Sequence, residues 1–506
     1  MKALKTLPKK LTFTNLSLGF ALVVGTFLRL WNFPNTLQFL GDQGRDAIIV
    51  MNIFRHFHPV LIGPVTSIGD MYLGPLYYYM MVPFLWMTYP NPIGPAYAIA
   101  GLSILTIFLV YFLGKEIVGS RAALIGALLM SCAAVVITFA RFSWNPNPAP
   151  FFSLILVWAS YRFLTKNTWY VVLMSLCVAV LVQLHYVTLL AAAAAGLIWL
   201  IKLRATVLKP KKKELRKFIL ATISAIALFL FSLTPIVLFD FRHNFLNFHS
   251  LQKFMTQPSG TLTHPTDIFS ALRVLRDMEG RTYHILWELF IGKNWDLNKI
   301  FTAIFLASLF LIFRNRKYQF RVGTQILLVY TIVGIVGLSF YQSPVFDHYI
   351  AYLFPVVLLL YGVVLDWFLK NRVGQIATVA FAANFVVWNT NHLPLKPIGW
   401  TLADIEKTSE TITARVKPGE KYNLVLLTGT GDIEGMNYRY FLETTDKPPL
   451  EKEHWGEADT LFIINEDHVL KKVTDSPIYE IVVFPNKHTS EVYTIPNGPE
   501  ITVLRR

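Results

Sequence analysis

Long apolar stretches recur along the first four-fifths of the chain, and roughly 17 to 22 residues is the length that crosses hydrocarbon as a helix. About eleven are legible: Leu16–Phe33, Ile93–Leu113, Arg121–Ala140, Pro148–Leu164, Thr168–Leu184, Tyr186–Leu203, Phe218–Phe239, Asn298–Phe313, Val322–Tyr341, Tyr349–Phe368 and Gly374–Asn391. Leu73–Tyr89 is also apolar, but Gly74-Pro75, Pro83 and Pro90 break it, and it reads as an interfacial helix. From about His392 the pattern becomes that of a soluble unit. Asn423–Leu427 and Thr460–Ile464 read as buried strands, with Glu480–Phe484 and Glu491–Ile495 as further strands. Asp404–Val416 and Gly435–Glu443 read as helices beside them. The expected fold is mainly α: a polytopic membrane bundle over residues 1–391, with interfacial helices in its first outer loop, then a small α/β domain over 392–506.

Composition agrees, with 15% charged residues and a mean hydropathy of +0.47. The net charge of +15 would suit a nucleic-acid partner, but its placement excludes one. Basic residues fall in alternate loops: Lys2 to Lys10, Lys115 and Arg121, Arg162 and Lys166, Lys202 to Lys217, Arg314 to Arg321, and Lys370 with Arg372. That is the positive-inside pattern, with the N-terminus cytoplasmic and the tail outside an inner (plasma) membrane. Cys132 and Cys177 both lie in spans, which argues against a disulfide scaffold. The basic start leads into a long apolar stretch with no small-residue cleavage site, so a retained first span is expected.

Charges cluster just beyond that first span, in Gly41-Asp42-Gln43-Gly44-Arg45-Asp46. On a helix starting near Asp42, Asp42 and Asp46 share a face. Helix capping accounts for one acid, but not for Arg45 and Asp46 in the same turn. Asp42 is the first candidate for a functional carboxylate, and Asp46 for a second catalytic acid or a partner of Arg45. A carboxylate here abstracts a proton from an acceptor hydroxyl, or ligates a divalent metal that holds a phosphate. Asp70 is a candidate second metal ligand, and Tyr77, Tyr78 and Tyr79 read as interfacial anchors. Arg242 and His243 sit at an outer span end, where positive-inside places few cations, and Arg273, Arg276, Arg281 and His284 follow on that side. Arg45, Arg242, His243 and Arg281 are therefore candidates for binding a phosphate. Gln183 with His185, and Asp347-His348-Tyr349, are further polar residues at outer span ends. Gly429-Thr430-Gly431-Asp432 is a glycine turn rather than a phosphate loop. The sequence holds no Walker A motif, no zinc-ligand spacing and no Ser-His-Asp constellation.

The acidic motif Gly41 to Ala47, the later Gly74-Pro75-Leu76-Tyr77-Tyr78-Tyr79 and the second outer loop Arg141 to Pro148 resemble those of GT-C superfamily glycosyltransferases of the family 39 type. Protein O-mannosyltransferases and the bacterial aminoarabinose transferase of lipid A belong there. The resemblance covers roughly Leu11 to Asn391. It implies an outward-facing cavity and a sugar donor carried on a polyprenyl phosphate, passed to a glycan, lipid or protein acceptor without ATP. Asp42 matches the essential first-loop acid, and Arg45 the arginine that follows it in some relatives. The outer arginines would hold the donor phosphate. Three departures count against a metal and against lipid A as acceptor. Gln43 stands where a second acid is common, Asn145 and Asn147 where metal-using relatives have an acid, and Tyr72-Leu73 where the lipid A transferases carry Glu-Lys.

On this reading Asp42 is the base, transfer is inverting, and any divalent metal would sit at Asp42 and Asp70. The alternative is a transporter or flippase of lipid-linked glycans, which requires charges near the midplane of several spans. A membrane-anchored binding module built on the tail would leave the spans without a purpose.

Overall fold

The structure is a computed structural model that describes residues 13–66, 71–208, 211–256, 262, 267–314, 321–397, 399–429, 432–466, 470, 472–486, 489–495 and 498–506. Every predicted span is helical. Among the described residues, seven helices are long and apolar enough to cross a membrane: Phe13–Leu30, Ile93–Val118, Tyr186–Leu208, Lys212–Ser232, Trp295–Arg314, Arg321–Ser339 and Asp347–Phe368. Ser120–Cys132, Ala149–Thr165 and Tyr170–Leu184 are apolar but shorter. The last predicted span is the helix Arg372–Asn391.

The stretch Arg121–Ala140 is not one helix. It stops at Cys132 and restarts as Ala134–Phe139, because Ala133 adopts an extended conformation. Such a break frees the carbonyls of Met130 and Ser131 and the N–H of Ala134, which cannot be left bare in an apolar interior. Arg29 takes the two carbonyls, at 3.1 Å each, and also donates to Ser103 Oγ at 2.8 Å. Asn389 accepts from Ala134 N at 2.6 Å. The interior charge of the first span is thereby a structural group. Arg141 plays a similar part at the end of the first helix, donating to the carbonyls of Leu28, Arg29 and Trp31 at 2.8–3.0 Å. Phe218–Phe239 also divides, into Lys212–Ser232 and Thr234–Arg242, where Pro235 cannot continue the hydrogen-bond ladder.

The first loop folds into two helices, Gly41–Arg55 and Leu76–Thr88, which pack on each other. Asp42 thus lies in the first turn of the helix Gly41–Arg55, and Asp46 one turn further on. Tyr77 and Tyr78 are buried against that helix instead of facing headgroups, and Tyr79 exchanges hydrogen bonds with the Val60 backbone.

The tail holds a four-stranded sheet of β1 (Tyr422–Leu427), β2 (Thr460–Asn465), β3 (Thr489–Thr494) and β4 (Glu500–Arg505), in the order β1-β2-β4-β3. β1 and β2 are parallel, and β4 is antiparallel to both of its neighbours. The two-residue alternation divides the side chains between two cores. Leu424, Leu426, Phe462, Ile464, Ile501 and Val503 face one way, and Val425, Leu427, Leu461, Ile463 and Leu504 the other. Helices Leu402–Thr413 and Met436–Glu443 form as expected. Glu480–Phe484 does not form a strand: Tyr479–Val483 is a short helix in which Ile481 is buried while Val482 and Val483 face solvent. Its place in the sheet is taken by β4, a run the sequence reading passed over.

The sheet's first face does not close on itself. Its core is continuous with the first loop, joining Phe39, Ala47, Val50, Tyr78 and Leu85 to Tyr438, Tyr440 and Leu442. The C-terminal unit therefore sits directly on the acidic helix.

Candidate active site

At 3.6 residues per turn the helix Gly41–Arg55 presents three faces. Gly41 and Gly44 lie on one, against the C-terminal unit: a Cβ on Gly44 would meet the backbone of Met436 and Asn437, and one on Gly41 the Asp432 carboxylate. Gln43, Ala47 and Val50 lie on the second, facing a void of about 20 Å³. Gln43 Oε1 accepts from Leu40 N at 2.9 Å, so the residue in the place of a second acid caps its own helix. Asp42 and Arg45 lie on the third face, which lines a cavity of about 410 Å³.

Arg45 is a fork between two carboxylates. Its Nη1 reaches Asp42 Oδ1 at 2.7 Å, while Nε and Nη2 reach Asp46 Oδ1 at 3.1 and 2.8 Å. Burial works against its charge, but Asp46 and Asp42 outweigh that and hold the guanidinium firmly protonated. The two acids differ in access. The Asp42 side chain is 47% exposed, whereas that of Asp46 is 6% exposed. Burial pushes the Asp46 carboxyl up to about 6, even though the charge of Arg45 pulls it down. Asp46 also accepts from Tyr78 OH at 3.3 Å, and its Oδ2 has no hydrogen-bond partner among the described residues. Asp42 can meet a substrate in the cavity; Asp46 orients Arg45 from behind.

The cavity lining is of two kinds. Asp42, Arg45, Asn145, His185 and His348 supply polar groups, together with the ring of Trp144. Leu189, Leu190, Leu251, Phe254, Met255 and Leu338 supply an apolar wall. His348 sits in an aromatic nest, with ring centroids 4.4 Å from Trp144, 4.5 Å from Tyr349 and 5.6 Å from His185. Asn145 is fixed by donating to Leu184 O at 2.6 Å, and Asn147 by donating to Phe142 O at 2.8 Å.

The remaining candidates lie elsewhere. Arg281 donates to Tyr341 O at 3.2 Å, and so stands behind a residue of the cavity wall. Arg242 and His243 are exposed and do not line the cavity, and the His243 ring stacks on Phe239 with centroids 4.0 Å apart. Asp70 lies outside the described residues. Among the described residues no three His, Cys, Asp or Glu side chains gather to hold a metal ion. The wall from helix Leu246–Thr256 is a part that sequence reasoning missed; its signal was the spacing of Leu251, Phe254 and Met255, in a stretch read only for its cations.

Residues 94–235 match the model of the family described as dolichyl-phosphate-mannose-protein mannosyltransferase. Among solved structures, the chain is similar to ArnT from Cupriavidus metallidurans bound to undecaprenyl phosphate, with a TM-score of 0.57, 14% identity and coverage of 98% of each chain. The apo state of that ArnT gives a TM-score of 0.55 at 14% identity, covering 96% of this chain and 97% of that one. The archaeal oligosaccharyltransferase AglB from Archaeoglobus fulgidus, in complex with an inhibitory peptide and a dolichol-phosphate, is more distant. Its TM-score is 0.47 at 13% identity, over 90% of this chain and 70% of that one. No curated protein sequence matches. The fold is ArnT-like from end to end, and the resemblance to GT-C glycosyltransferases of the family 39 type is met.

Proposed function

We propose that the chain is a membrane glycosyltransferase that moves a sugar from a polyprenyl-phosphate donor to a hydroxyl on a glycan, lipid or protein acceptor. The observation that carries this reading is the mixed lining of one cavity. An apolar wall beside an acid and an arginine suits a ligand with a lipid chain, a phosphate and a sugar. The mannosyltransferase family match and the ArnT-like fold support the same reaction class.

Asp42 acts as general base. It accepts the proton of the acceptor hydroxyl while that oxygen bonds to the anomeric carbon. The bond from the anomeric carbon to the phosphate oxygen breaks with inversion, and the electron pair leaves on the lipid phosphate. Arg45 offsets the charge that develops there. Arg281 supports the wall behind Tyr341, and Arg242 and His243 take no part in this scheme. No step runs through a metal. The reaction takes place on the outer side of an inner membrane, with residues 392–506 there and the N-terminus in the cytoplasm, in keeping with the charge alternation.

Asp42→Asn keeps the size of the side chain and removes the base. Assayed in proteoliposomes against a panel of polyprenyl-phosphate sugars, it is expected to lose at least about a hundredfold in transfer, with an unchanged melting temperature. Near-normal transfer would overturn the assignment. The transporter reading is weaker, because Arg29, the interior charge it would use, is bonded to backbone at a helix break.

A further inference from the structure

We infer that the helix Met436–Glu443 and the turn before it are a positioning element of the site, setting where Asp42 stands by holding the opposite face of its helix. The inference rests on the reading of Asp42 as the base. Glycine in the first turns of a helix lowers its stability, so Gly41 and Gly44 need a reason. Both face the C-terminal unit, and at Gly44 the neighbour is backbone, which cannot swing aside as a side chain would. No Cβ fits there without moving one helix relative to the other.

The surrounding contacts fix the same interface. Asp432 is held by accepting from the backbone N–H of Glu434 and Gly435, at 3.1 and 3.2 Å. Gly435 has a left-handed φ of 59°, which turns the chain so that the next residue presents its backbone to Gly44. Tyr440 OH donates to Pro90 O at 2.8 Å, and Phe39 packs edge-on to Tyr440 with centroids 6.0 Å apart. Among the described residues, none of the C-terminal unit lines the cavity that Asp42 enters. Contact from behind can therefore change the position of the base without touching the substrate. A displacement of about an ångström at a reacting group is enough to cost on the order of a hundredfold in rate.

Gly44→Ala in the full-length protein, reconstituted in proteoliposomes, is the test. The expected result is a fall in kcat of about a hundredfold, with undecaprenyl phosphate binding held within about twofold because the apolar wall is intact. Tyr440→Phe removes only the bond to Pro90, and is expected to lower kcat in the same direction by a smaller factor. It serves where Gly44→Ala does not fold. Hydrogen exchange over residues 41–46 is expected to quicken in both variants, and this readout does not depend on activity. Unchanged kcat with unchanged exchange overturns the inference. So does a parallel loss of kcat, lipid binding and protection across the whole chain, which would mark the contact as structural only. If the unaltered protein transfers no sugar, the proposed function fails, and exchange alone then decides whether the C-terminal helix holds the acidic one.

Discussion

Arg29 and Arg45 are both shielded arginines close to the first span, and they are used in opposite ways. Arg29 sits at a break in a neighbouring helix and gives its hydrogen bonds to groups that cannot leave: backbone carbonyls and one serine. Arg45 sits at a cavity wall and divides its bonds between a buried carboxylate and an exposed one. The first spends four of its five N–H donors on the fold, and the second keeps one edge beside open space. Partners, rather than burial, separate a charge spent on the fold from one left facing a cavity.

The largest effect expected from this contrast is on stability. Arg29→Met leaves the carbonyls of Met130 and Ser131 bare in an apolar interior, and should cost about 4 kcal/mol. Thermal unfolding in detergent reads this, and a change under about 1 kcal/mol would place Arg29 outside the structural class. Next comes Arg45→Met, expected to reduce transfer about a hundredfold, or about 2.7 kcal/mol of transition-state stabilisation, with a smaller change in melting. If melting falls as far as in Arg29→Met while the transfer rate of the surviving protein is normal, the contrast collapses.

The last effect, spread over a pH range, concerns Asp46. Burial raises its carboxyl to about 6 in the folded protein, even against the charge of Arg45, while an unfolded aspartate titrates near 3.9. The folded state therefore holds the proton more tightly. Stability from this group is complete below about pH 4 and is lost as pH rises through about 6, by on the order of 2 to 3 kcal/mol. Asp46→Asn should flatten that part of the profile of melting temperature between pH 4 and 7. Equal slopes in the two proteins would show that Asp46 is not the titrating group.

Much of the bundle was legible because a bilayer demands long apolar helices, and each predicted stretch is helical. Breaks inside stretches were not legible, since the bend at Ala133 is stabilised by Arg29 and Asn389, both remote in sequence. Asp42 was found from its place beside a span. That Asp46 would be sealed off, and that Tyr77 and Tyr78 would turn inward to it, depends on packing no local pattern carries. The exposed cations misled for the same reason: Arg242 and His243 share a side with the cavity without sharing its wall. β4 was passed over although Ile501 to Leu504 is a buried run, because its pairing with β2 and β3 gives it meaning only within the sheet.

The acidic helix and the helix that docks on it are separated by almost the whole chain, as in the contact of Asn437 Nδ2 with Phe39 O across 398 residues. At a synthesis rate of about 5 to 20 residues per second, the acid leaves the ribosome roughly 20 to 80 seconds before its support exists. Such long-range closure is also slow in its own right. On the proposed reading the acidic site is thus translated early and assembled late, and a chain that inserts its helices but stalls before the tail would hold its acid without the support behind it.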